Sequence, residues 1–526
     1  MAGSVYAASV SGGQRELTAH DTMSELGHHP LNQHLTHDGD DKNKVKTFTL
    51  YSEPIGLRYG EVTIAGTWAT QTHLPLPKEV VDHYADGTRN MAVRGFSMDF
   101  VRRDASGDEQ SVPLYELYDH HHFVQIYGSD ADDGRYYGLD GLDRLTFGSS
   151  FEYRGTHFAY EQPYRRVISR PTSWLSFFHL INTRLSPGVV AALARHGEVR
   201  ELPSAMSMTQ CPCTPQRSIN TTDQTVDGLA VYDFDCPPWL EDNRACNWAT
   251  YTGGMRCCAY GDMFVTDTEA MCATPQCEEL PIDYAQFKIT FEYEDDDVSV
   301  ADTGAPAAEG GVAHVPARNL RDASCCDLTS SSYDEPWRST FEFDVDACPH
   351  GTPPGECVST HTAVLPLDRA LDEKPEAADA LVEVAFMLPH VHEGGLSIEV
   401  QDAVTNATLC KASLADGGVV YGASDVAGDE RGYITGFRSC SWDGAHAPVY
   451  RRAHPMRITA TYDASRPIHG AMARMIIAVH DRDHKALAAT SGSASGHQHG
   501  MHMHHMLATA RARVHGAARP QHGGAV

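Results

Sequence analysis

Apolar and polar residues alternate with a period of two through long parts of this chain, the pattern of strands that bury one face. Phe48 and Leu50 stand between polar neighbours, and Phe96, Met98 and Phe100 repeat the pattern. Asp86-Gly87-Thr88 and Ser106-Gly107-Asp108 supply turns between such runs. Residues 286–293 read as a further strand, running into the acidic stretch 294–297. The same alternation returns at Val382/Val384/Phe386, Leu396/Ile398/Val400 and Ile458/Ala460/Tyr462, followed by the apolar run 475–479. A helical period is scarce, and 189–195 is its best stretch. Many short strands between Gly, Asp and Pro turns predict an all-β protein built of β-sandwiches.

Composition then divides the chain. Residues 1–44 are polar and read as a disordered lead-in. A first sandwich is expected over 45–297, interrupted by a Cys-rich insertion at about 205–280. Residues 298–335, rich in Ala, Gly, Asp, Ser and Pro, read as a linker, and 336–485 as a second sandwich. The tail 486–526 reads as disordered, with five His and three Met between 497 and 506 that would bind copper or nickel loosely. A length of 526 residues exceeds what one core supports, and 41% hydrophobic content excludes wholesale disorder. The formal charge of −29 argues against a nucleic-acid partner, since phosphates are neutralised by Lys and Arg. No run approaches the ~18 apolar residues of a membrane span, so no transmembrane segment is expected.

All 14 cysteines lie between Cys211 and Cys440, an even and clustered set that reads as a disulfide framework. No C-x-x-C spacing occurs, which weakens zinc-ribbon and thioredoxin readings. Cys410 with Cys440 and Cys348 with Cys357 are the expected pairs, from their isolation within the second sandwich. Sequons at Asn220 and Asn406 are glycosylation candidates. Cysteines and sequons together point to the secretory pathway or the extracellular space, although residues 1–45 show no apolar leader.

The chemistry-bearing candidates are among the 30 histidines. Asp119-His120-His121-His122 stands in an apolar context. Regular strand alternation would pair His120 with His122 and turn His121 away, while a solvated polar loop accounts for the same residues. In Pro389-His390-Val391-His392-Glu393, an H-x-H on a strand places two rings on one face, about 7 Å apart at the backbone. That spacing suits two ligands of one metal, and equally an exposed strand end with two free histidines. Met472 at a strand start is ordinary core filling unless it joins a soft donor set, where thioether and imidazole together favour copper.

In order along the chain, residues 112–121 (VPLYELYDHH), 174–184 (WLSFFHLINTR), the Cys-rich segment through Cys257-Cys258, 389–395 (PHVHEGG), 432–436 with Cys440, and 469–481 form one pattern. Over roughly 45–483 the chain resembles the plant stress up-regulated nodulin family. That family is distantly similar to the copper type II, ascorbate-dependent monooxygenases, such as peptidylglycine α-hydroxylating monooxygenase and dopamine β-hydroxylase. The resemblance implies two tandem jelly-roll-like domains and two copper ions, one held mainly by each. It places the first copper on His120, His121 and His179, and the second on His390, His392 and Met472. His122 stands where the monooxygenases carry a methionine, so it is an alternative ligand. Asp119 and Glu393 are candidates to orient the imidazoles. The Cys-rich insertion has no counterpart in the monooxygenase pattern.

Three functions follow as expectations. The resemblance implies hydroxylation of a C–H bond of a small molecule or peptide by O₂, with ascorbate as reductant. A disulfide-stapled copper-binding or stress-response protein without turnover is the alternative. A zinc-dependent hydrolase is third, since neutral imidazoles suit zinc but no H-E-x-x-H helix supplies a base.

Overall fold

The computed structural model describes residues 45–59, 73–129, 144–195, 280–297, 317–328, 343–368 and 378–482, apart from positions 105 and 324, with the backbone of a few short strands outside these ranges. The sequence expectations for the lead-in, most of the Cys-rich insertion and the tail lie outside the described residues.

The first sandwich is built on β1 (Lys46–Tyr51), β2 (Glu61–Ala65), β3 (Arg89–Arg103), β4 (Leu117–Gly128), β5 (Arg144–Ser149), β6 (Tyr164–Ile168), β7 (Pro171–Asn182) and β8 (Ile282–Asp297). One sheet follows the order β5–β4–β7–β2, and the other β6–β3–β8–β1. Register explains why the alternating residues matter. Phe48, Phe291 and Phe96 are cross-strand partners in one row, and Leu50, Ile289 and Met98 in the next. Each row therefore faces the core as a unit, and the rings of Phe48 and Phe291 lie 5.3 Å apart. Gly87 and Gly107 occupy the foreseen turns with positive φ.

The second sandwich uses β9 (Val358–Pro366), β10 (Leu381–Val391), β11 (Gly395–Asp402), β12 (Thr408–Ser413), β13 (Ile434–Phe437), β14 (Pro455–Asp463) and β15 (Ala473–Asp481). Its sheets follow β9–β14–β11–β12 and, opposite, β15–β10 with Cys440–Ser441 at the edge. The chain is thus all-β, with jelly-roll-like sandwiches of antiparallel strands in which distant segments lie side by side. Both expected disulfides form, with Cα separations of 5.7 Å for Cys348–Cys357 and 5.9 Å for Cys410–Cys440. The second joins β12 to the edge of the facing sheet. Closing its loop stabilises the fold by about 3–4 kcal/mol, chiefly through the unfolded chain.

Three details depart from the sequence reading. A short helix α1 (Lys78–Tyr84), unforeseen, buries Val80 and Tyr84 one turn apart. The helix expected at 189–195 is α2 (Pro187–Arg195), which starts two residues earlier because proline is tolerated in a first turn. The linker is not a free connection throughout. Arg318–Asn319 pairs with β6 of the first sandwich, and Arg321–Asp322 pairs with β15 of the second. Arg321 is then locked by Asp368 at 2.7 Å and Asp481 at 2.6 Å. Charge pairs buried this well hold position more than they add stability.

The sandwiches meet through a built interface. Tyr164 donates to Glu383 at 2.7 Å, the Phe437 amide donates to Thr156 at 3.0 Å, and the Gly155 amide donates to the Thr435 carbonyl at 2.9 Å. A Cβ on Gly155 would lie 2.4 Å from that carbonyl, so only glycine permits the approach. Glu430, wholly buried, crosses to Arg154 at 3.0 Å and to the Leu114 amide at 3.0 Å.

Candidate metal centre

The first histidine cluster depends on a fault in a strand ladder. Along β4 and β7, Asp119 pairs with Leu180, but the next pair is His121 with His179, leaving His120 as an extra residue. Such a bulge interrupts strict alternation. His120 and His121 consequently both meet His179, with ring centroids 4.8 Å and 4.9 Å from it. The Nδ1 atoms of His120 and His121 are 2.8 Å apart, and one donor nitrogen from each of the three rings lies within 4.8 Å of the others. His120 and His179 are buried, and His121 is partly so.

The bulge corrects the alternation argument, which had paired His120 with His122. His122 points into the core of the first sandwich, its ring 5.0 Å from Phe287 and 5.8 Å from Tyr153. Its Nδ1 meets Asp119 Oδ2 at 2.6 Å and its Nε2 meets Met98 Sδ at 2.7 Å. The alternative ligand therefore stands apart from the cluster, and Asp119 orients His122 rather than a cluster imidazole. Asp119 and His122 flank the pair His120-His121, and their bond spans the bulge on the side away from the cluster.

The second group needs no such device. His390 is the penultimate residue of β10 and His392 follows the strand's last residue, and the two rings lie 5.3 Å apart. Gly394, at φ 89°, turns the chain immediately afterwards. Met472 stands across from His392, its carbonyl accepting the His392 amide at 3.1 Å. Glu393 is buried beside Tyr118, Tyr421 and Tyr433. Burial foremost, and then the Glu393 charge, holds those hydroxyls protonated far above their ordinary range.

The two groups are not separate. The ring of His120, from the first sandwich, lies 5.5 Å from that of His392, from the second, and Phe151 packs on both His390 and His392. Five imidazoles therefore form one chain of touching rings across the interface. Sequence reasoning missed Glu152, which is 1% exposed and places Oε1 3.2 Å from His390 Nδ1. A lone acid between Phe151 and Tyr153 was its only signal. Among the described residues its Oε2 has no hydrogen-bond partner.

Burial sets the protonation. Desolvation first, then the neighbouring imidazoles, hold His120 and His121 well below the ordinary histidine range. Burial alone lowers His179 to about 4. All three are therefore neutral near pH 7, the form that binds a metal. The set is all nitrogen, which suits copper or zinc and not calcium or magnesium. Two nitrogens bound to one ion at ~2 Å can be at most ~4 Å apart, so a small ring movement closes the observed spread. The residues present fit such an ion.

Asn406 lies on an exposed turn after β11, its side-chain oxygen accepting from Arg457 at 2.7 Å. Asn220 and the 497–506 tract lie outside the described residues. No helix among the described residues is long and apolar enough to cross a membrane.

No protein-family description and no curated protein matches the chain. Among solved structures, the chain is similar to vicilin from Solanum lycopersicum (tomato) at 7% identity, covering 83% of this chain and 75% of that one, with a TM-score of 0.10. It is also similar to the infectious bursal disease virus Gt strain structure at 10% identity, covering 91% and 90%, with a TM-score of 0.11. Scores this low carry no argument, and the all-β assignment rests on the strands themselves.

Proposed function

We propose that this chain is a copper-binding protein with its metal centre at the junction of the sandwiches, and that it hydroxylates a C–H bond of a small molecule or peptide. The observation that carries the metal reading is the convergence of His120, His121 and His179, three neutral imidazoles brought to one point by a bulge. Hydroxylation rests on the resemblance of the ligand residues to those of the ascorbate-dependent monooxygenases. His120, His121 and His179 would hold one copper, and His390, His392 and Met472 the other. Copper would supply one-electron chemistry with ascorbate as reductant. The chain's own residues would prepare the site. Asp119 and His122 hold the bulge, and Glu152 occupies His390 Nδ1 and so presents Nε2.

Metal analysis of the full chain tests this, with the His and Met residues between 497 and 506 replaced by Ser so that the tail cannot contribute. Two coppers per chain with ascorbate-dependent O₂ consumption on a substrate panel is the expected result. Copper without O₂ consumption would leave a metal-binding protein without turnover. Stoichiometric zinc in protein isolated without added metal would overturn the copper reading and favour a hydrolase.

A further inference from the structure

We infer that the two donor groups form one coupled dinuclear centre, shared by the two sandwiches, and not two isolated copper sites. The inference rests on the metal reading above and goes beyond it, since that reading requires only that each group hold an ion. Its ground is the direct contact of His120 with His392. A centroid separation of 5.5 Å at 74° is an edge-to-face van der Waals contact, which leaves no room for a side chain or a water layer between the rings. His120 also touches His121 and His179, at 5.0 Å and 4.8 Å, while His392 touches His390 at 5.3 Å. The wall of one group is the wall of the other.

Several independent contacts hold that juxtaposition. Phe151 stacks against Tyr118 of β4, 5.4 Å away, and against both His390 and His392, so one ring braces the donor strands of the two sandwiches. The next residue, Glu152, reaches His390 itself. Two residues further on, Arg154 is tied to Glu430, and the Gly155 amide to Thr435. Segment 151–156 of the first sandwich thus packs on His390 and His392 through Phe151 and Glu152 and is tied to 430–437 of the second sandwich through Arg154, Gly155 and Thr156.

Electron paramagnetic resonance of the full chain, tail replaced as above and loaded with two equivalents of Cu(II), tests the inference. Dipolar interaction falls with the cube of separation, so a shared centre should give a strongly broadened spectrum with a half-field transition. Replacing one of the two ions by Zn(II) should restore a sharp, isolated signal. That comparison needs no substitution within either sandwich, so a folding defect at the centre cannot obscure it. His392→Ala should likewise leave one copper with an isolated signal. Two coppers per chain giving the plain sum of two isolated signals would overturn the shared centre while leaving copper binding intact. A single copper per chain at saturation would overturn it as well. Failure to bind any copper would instead overturn the metal reading on which it rests.

Discussion

The two donor groups reach the same place by opposite routes. His390 and His392 are two apart at the end of one strand, and ordinary alternation carried one residue past β10 brings their rings together. His120, His121 and His179 come from two strands, and regular pairing would have separated the adjacent pair. The first group stands where it does only because a bulge displaces His120 and a buried Asp119–His122 bond stands behind it. A site made by strand period is robust to distant change. One made by a ladder fault depends on whatever holds the fault.

The largest expected effect comes from removing a shared strand contact. His179→Ala should lower copper affinity of the first group by more than about 100-fold, beyond the loss typical of outer-shell changes. The second group should keep its ion, as read by titration of the tail-replaced chain. Equal loss at both groups would erase the distinction between them.

Next is His122→Phe, which removes no proposed ligand. It leaves the fully buried Asp119 carboxyl without its hydrogen-bond partner, a change that costs about 1–3 kcal/mol. Thermal unfolding should report that loss, and metal titration should show weakened binding at the first group alone. Replacing His122 and Asp119 together by Phe and Asn should recover part of the stability without restoring the bulge. Unchanged metal affinity in either variant would show that the bulge holds itself.

Acidification should report on the first group. His120, His121 and His179 have folded-state values depressed below those of the unfolded chain. The unfolded state therefore binds more protons as pH falls. The stability these residues contribute is fully present above about 6.5 and is lost as pH drops toward 4. Denaturant midpoints of the metal-free protein between pH 7 and 4 measure this, and His179→Gln should flatten the slope. A flat profile in the unsubstituted chain would contradict the burial of these imidazoles.

The smallest effect is expected from Glu152→Gln, which keeps the shape and an acceptor oxygen but removes the charge. Copper affinity of the second group should fall about 10-fold, with little change in thermal midpoint. A change confined to the first group would assign Glu152 elsewhere.

Much of the fold was legible from local pattern. Phe48, Phe96, Met98 and Phe100 alternate because a sheet buries one face, and each is on a strand as its pattern implies. Cys410 and Cys440 pair as their isolation implied. The H-x-H geometry follows from strand period alone. What local pattern misreads is equally specific. His122 looks identical in sequence to its two neighbours, yet one unpaired residue sends it to the opposite face. Glu152 carries no motif because its role exists only against a strand more than 200 residues away. The stretch 317–323 has a linker's composition, yet open sheet edges on both sandwiches recruit it.

The sequence by itself therefore determined an acidic, all-β chain with cysteine staples and the residues from which a copper centre could be drawn. Those properties are written in period, composition and residue type, and depend only on near neighbours. Tertiary structure decided which histidines face one another, what lies behind them and whether the two groups touch. Register and interface contact are agreements between distant segments, and no stretch of sequence contains both parties.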